Sequence, residues 1–155
     1  MKITNADASA AILKAAAENR LLQRKWHAES KGRHLACLLG SIHPSVTRAA
    51  DCNGDLMPLW MAKLTVSLFD QIAPDQITPI ALRYGALVAR WDTMAPTQWE
   101  SVLARFLVRC VDDALEAACP VGIGKSYWAA VEGACVQSKT AILSGDKAAA
   151  GAAAG

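Results

Sequence analysis

The chain is poor in aromatic rings other than tryptophan, with two Phe and two Tyr against five Trp. It has three His and no CxxC pair. Its five cysteines, Cys37, Cys52, Cys110, Cys119 and Cys135, are odd in number and widely spread. That pattern excludes a dense disulfide framework and fits buried thiols in a reducing compartment. The first residues, MKITNADASAA, lack the apolar stretch of a secretory signal, so a cytoplasmic location is the default expectation. No charge-free apolar run reaches the roughly 20 residues of a membrane-spanning helix. The most apolar stretch, Asp55 to Ile72, carries Lys63 and Asp70. The net charge of +2 is too small to argue for a nucleic-acid partner on its own. No GxSxG places a nucleophile, and CPVGIGKSY has Cys119 where a phosphate loop needs glycine.

The chain does have apolar side chains at helical spacing. Its hydrophobic fraction is 53% of 155 residues, much of it alanine, which favours helix. In Asp55–Ile72, Met57, Trp60, Met61, Leu64, Leu68 and Ile72 recur at three- and four-residue steps. Leu59, Val66 and Phe69 widen that face, Asp55 is placed to cap it and Pro58 suits its first turn. A helix apolar nearly all round is a buried one, so this stretch is expected at the centre of the fold. A strand over Leu64–Phe69 is the rival reading, but no turn pair flanks it.

The other segments read as covers. Thr4 or Asn5 opens a first helix, with Asp7 in its first turn, that continues to about Glu29. Ser30–Gly32 breaks it, and a second helix carries Leu35, Leu38, Leu39 and Ile42 inward until Pro44 excludes helix. Residues 43–54 form a long loop. A fourth helix runs from Thr78 to Trp91, and Gly85 within it marks a close approach. Pro96 opens a fifth, apolar at Trp99, Leu103, Phe106, Leu107, Cys110, Val111, Ala114 and Leu115. Cys119–Gly124 breaks the chain, Ser126 caps a sixth helix and Gly145 ends it. The expectation is all-α: a compact bundle of about six helices around a buried central helix, one domain over 1–145. Residues 146–155 form an Ala/Gly-rich tail with nothing to bury.

Candidate sites are few. Residues 1–34 hold seven Lys/Arg and three acids, the remainder nine and eleven. Within that basic front, Arg20, Arg24, Lys25, Trp26, His27, Lys31 and Arg33, followed by His34, form the one concentrated patch. Cations around an indole can hold a phosphate or stack on a base; they also suit the negative end of a helix dipole. His34, Cys37, His43 and Cys52 have the side chains of a zinc site but no compact ligand spacing, so no metal is expected. Arg109 precedes Asp112 and Asp113 by three and four residues, the spacing of surface ion pairs rather than of an acid–base pair.

The segments MKITNADASAAILKAAAENR, CLLGSIHPSV, CNGDLMPLWMAKLTVSLFD and ARFLVRCVDDALEAACPV resemble uncharacterised small helical proteins of tailed phages and prophages. In that group a domain of similar length runs into an Ala-rich tail, and SGDKAAAGAAAG resembles the start of one. The resemblance implies context and no mechanism.

The leading expectation is a small non-catalytic accessory protein, without cofactor or membrane, that binds a protein partner or a second copy of itself. The alternative is an anion- or nucleic-acid-binding module using residues 20–34. A small-ligand pocket or enzyme between helices ranks third.

Overall fold

Thr4 opens the first helix through a reciprocal cap. Its hydroxyl accepts from the Asp7 amide, and the Asp7 carboxylate accepts from the Thr4 amide. The hydroxyl bond also holds the Asp7 carboxyl below the usual carboxylate range. The resulting α1 is Asn5–Ala17 in the computed structural model, which describes residues 3–52 and 56–145. Asn5 is buried and its amide donates to the Leu56 carbonyl at 3.0 Å.

The helix ends twelve residues short of Glu29 because Asn19 turns left-handed at φ 51°. From there the chain leaves the helix as an irregular segment before the first strand. Leu22 donates its amide to Ala36, and Ala36 donates to Arg20, both at 3.0 Å. Residues His27–Ser30 (β1) and Arg33–Ala36 (β2) form an antiparallel ribbon, with Ser30 opposite Arg33 and His27 opposite Ala36. The loop joining them is Lys31-Gly32, with φ of 51° and 71°. Two positive φ values are those of a type I′ turn, whose twist matches paired strands. The expected second helix is therefore β2 followed by a single 3₁₀ turn, Gly40–Ile42. Leu38, Leu39 and Ile42 are buried as their spacing predicts.

The helix α2 spans Leu59–Phe69 and confirms helix over strand in this stretch. Pro58 is its N-cap; the expected cap, Asp55, lies outside the described residues. Ala62, Thr65 and Phe69 are buried, but Leu59 and Leu68 are about half exposed (46% and 50%). This helix is thus one wall of the core and not an axis wrapped on every side. The close pair is α1 with α3, Ile77–Val88. A methyl added at Gly85 would lie 3.0 Å from Leu13 and 3.2 Å from Ile12, so the glycine admits those side chains. Thr65 on α2 hydrogen-bonds the Tyr84 hydroxyl of α3 at 2.9 Å, and burial pushes that phenol well above its usual range. Tyr84 also meets Trp91 edge to face at 5.3 Å.

The fifth expected helix is α4, Pro96–Gly122, and it runs through Pro120 instead of stopping before it. A proline there removes one bond to the Glu116 carbonyl, which the surrounding turns tolerate. α5 is Trp128–Ser144, capped without help from Ser126 and ended by Gly145 at φ 74°. The two helices are antiparallel: Trp128 covers Gly122 at one end, and Lys139 reaches Asp112 at 2.7 Å farther along. The described residues hold five α-helices and one two-stranded ribbon, so they are mostly helical, with one helix fewer than the six expected and a ribbon in place of the second. The chain divides into two compact units, Met1–Met94 and Ala95–Gly155. The expected Ala/Gly-rich tail lies outside the described residues.

Candidate functional site

The segment from Arg20 to Ala36 carries the whole basic patch, and several of its polar groups hold two helix ends. The last carbonyls of any helix lack intrahelical partners. At α1 those of Glu18 and Asn19 accept from the Arg33 guanidinium. Arg20 is tied to the same place, with its Nε 2.5 Å from the Glu18 carboxylate. At α2 the Gln23 amide donates to Phe69 at 2.6 Å and to Ile72 at 2.7 Å. The Arg24 amide, from a residue at φ 66°, donates to the Asp70 carboxylate at 2.7 Å.

The remaining members are spread along the ribbon. Lys25 is exposed just before β1, and Lys31 is exposed at the turn. The half-buried Trp26 accepts the Cys37 amide on its carbonyl at 3.1 Å. His27 sits 2.8 Å from the Val46 carbonyl through Nε2. A carbonyl only accepts, so that nitrogen carries the hydrogen. Its Nδ1 is buried without a partner among the described residues, and the ring lies 5.1 Å from that of His34. The structure thus brings Arg20 and Arg33 together at α1, and it leaves Arg24, Lys25 and Lys31 as separate exposed cations.

Among the described residues no three of His, Cys, Asp and Glu gather as metal ligands. Burial raises the Cys37 thiol, and it pushes Cys52 up to about 12, with Cys37 and Asp51 adding repulsion. At that value about one Cys52 in ten thousand is thiolate at pH 8. Cys110 is exposed. In an Ellman titration of the dilute native protein at pH 8, Cys110 should react without denaturant. Cys37 and Cys52 should react only after urea unfolds the chain, and early reaction at either would contradict the burial. Farther along, Arg48 and the Thr47 amide hold the Asp51 carboxylate down to about 2, which closes the loop Thr47–Asp51.

The second unit has a different surface. Of its described residues only Trp99, Gly122, Trp128 and Ala141 are buried. Val121, Ile123 and Leu143 are 75%, 66% and 64% exposed, with Phe106, Leu107, Tyr127 and Val136 also open. Arg109 pairs with Asp113 at 2.6 Å, as the four-residue spacing predicts. No helix among the described residues is long and apolar enough to cross a membrane. No family model, curated protein or solved structure matches the chain.

Proposed function

We propose that the protein works by protein–protein interaction, through the apolar surface of α4 and α5, as a small accessory protein of the phage or prophage kind. The observation that carries this reading is the imbalance in the second unit. Large apolar side chains stand in water while only four described residues are buried. Large apolar side chains left exposed in such numbers suit a surface that a partner covers. The phage context rests on the sequence resemblance alone. The basic segment serves as a strap across two helix ends in this reading, because Arg33, Arg20 and Gln23 are spent on them.

The test uses the full chain, immobilised and exposed both to itself and to extract from infected or lysogenic cells. A partner should be retained in stoichiometric amount. A partner taken from the extract should be lost from the double variant Val136→Lys, Leu143→Lys, whose helicity should be unchanged because both residues are already exposed. Retention of nothing, including a second copy, would remove the proposal. Binding that depends instead on Arg24 and Lys25, and that weakens steeply with salt, would move the function to the basic segment.

A further inference from the structure

The apolar residues of α4 fall on two adjacent faces. One, including Val108, Val111, Leu115, Cys119 and Gly122, is at least half covered. The other begins beside the buried Trp99 and runs through Leu103, Phe106, Cys110, Ala114, Ala117 and Val121, at steps of three and four residues. At the α-helical rise it is about 27 Å long. No charged residue interrupts it, and from Phe106 onward all of its members are exposed.

This second face is graded in size and in flanking charge. Its first half is bulky, with Leu103 and Phe106; its second half is small, with Ala114 and Ala117. Along one flank, Arg105 and Arg109 precede Asp113 and Glu116. We propose that α4 pairs with α4 of a second copy, antiparallel, about a two-fold axis at Cys110; this rests on the reading of α4 and α5 as an interaction surface. In that register Phe106 of one copy lies over Ala114 of the other, and Leu103 over Ala117. Bulky residues fill the space left by small ones, as close packing requires. The basic half of each flank meets the acidic half of the other, Arg109 beside Asp113. A parallel pairing would set Phe106 on Phe106 and would hold the two charged flanks on opposite sides of the seam, where neither meets the other. The exposed ion pairs contribute orientation more than affinity. A single helix seam belongs with interfaces below about 1,200 Å², so the dimer should dissociate on dilution. It is an isologous contact, in which every pair away from the axis occurs twice.

Sedimentation of the full chain over a wide concentration range should show a monomer–dimer equilibrium. Phe106→Glu, or Ala114→Arg on the opposite half of the seam, should raise the dissociation constant at least tenfold with unchanged helical circular dichroism. A short bismaleimide should join two chains through Cys110, mapped by mass spectrometry. In a Cys110→Ser background, chains carrying Ala117→Cys should cross-link to chains carrying Leu103→Cys and not to each other. Cross-linking of the Ala117→Cys chains among themselves means a parallel pair and overturns the proposal. So does a dimer indifferent to Phe106→Glu and Ala114→Arg, or a monomer at every concentration. A monomer that still retains another protein through Val136 and Leu143 would overturn only the self-pairing and leave the broader function standing.

Discussion

Gly122→Ala should lower the unfolding free energy of the second unit by about 3 kcal/mol, the scale of losing a packed aromatic side chain. A methyl at this position would sit 2.0 Å from Cε3 and 2.3 Å from Cζ3 of Trp128, inside any contact distance. The indole is 7% exposed and has no way to stay in place. Its Nε1 is buried with no hydrogen-bond partner among the described residues, so packing on the glycine is what holds the ring. The control is a double-mutant cycle with Trp128→Ala. Once the indole is gone, Gly122→Ala should cost nothing and gain up to about 1 kcal/mol of helix propensity. Urea unfolding followed by circular dichroism measures all four proteins. A single-mutant loss under about 1 kcal/mol, or a loss that survives removal of Trp128, would contradict this packing.

Gly40→Ala should be comparably damaging in the first unit, by about 2–4 kcal/mol, through overpacking against an atom that has no rotamer to change. The added methyl would lie 2.4 Å from the Trp26 carbonyl oxygen and 3.3 Å from the Cys37 sulfur. That oxygen accepts the Cys37 amide at 3.1 Å, and the Gly40 amide is 3.2 Å from the Cys37 sulfur. Relief requires the ribbon and the 3₁₀ turn to part. Gly133→Ala on α5 supplies the contrast, because nothing lies within 4 Å of its added methyl. That substitution should stabilise by up to about 1 kcal/mol. Equal effects at the two glycines, read from urea midpoints, would mean that backbone entropy and not crowding governs both.

The parts of the fold legible in the sequence are those where periodicity and caps agree. Thr4 with Asp7, the spacing of Trp60, Met61, Leu64 and Leu68, Pro96 at the start of α4 and Gly145 after α5 all appear as helix signals and act as such. The ribbon does not. Leu21, Leu22 and Trp26 continue the helical spacing of α1, and neither strand contains a β-branched residue or a Phe, Tyr or Trp ring. Two local signals are nonetheless present. Asn19 is a residue type that tolerates the left-handed end of a helix, and Ser30-Lys31-Gly32-Arg33 has the length of a two-residue hairpin turn. What overrides the spacing is tertiary: Arg33, fourteen residues after Asn19, satisfies the carbonyls that another helical turn would have used.

The place of α2 departs from expectation for a related reason. Its apolar residues circle the helix, a pattern that implies burial on all sides. Leu59 and Leu68 are instead half exposed, while smaller Ala62 and Thr65 face the core. Of the basic candidates, residue type and clustering are visible in the sequence, but their partners are not. Nothing in the chain announces that Arg20 and Arg33 meet at Glu18. The apolar seam of α4 is visible as part of one broad stripe. Separating its two faces requires knowing which side α5 covers.

The Arg33 guanidinium, with the backbone bonds of Ala36 to Arg20 and Leu22, joins the ribbon to the end of α1, and this makes their integrity common property. If β2 peels away, the final turn of α1 is stripped of its terminator in the same event. If that turn frays, Arg33 loses its partners on α1. Neither piece can loosen privately, so damage at Lys31-Gly32 would be felt at Glu18, on the far side of the basic stretch.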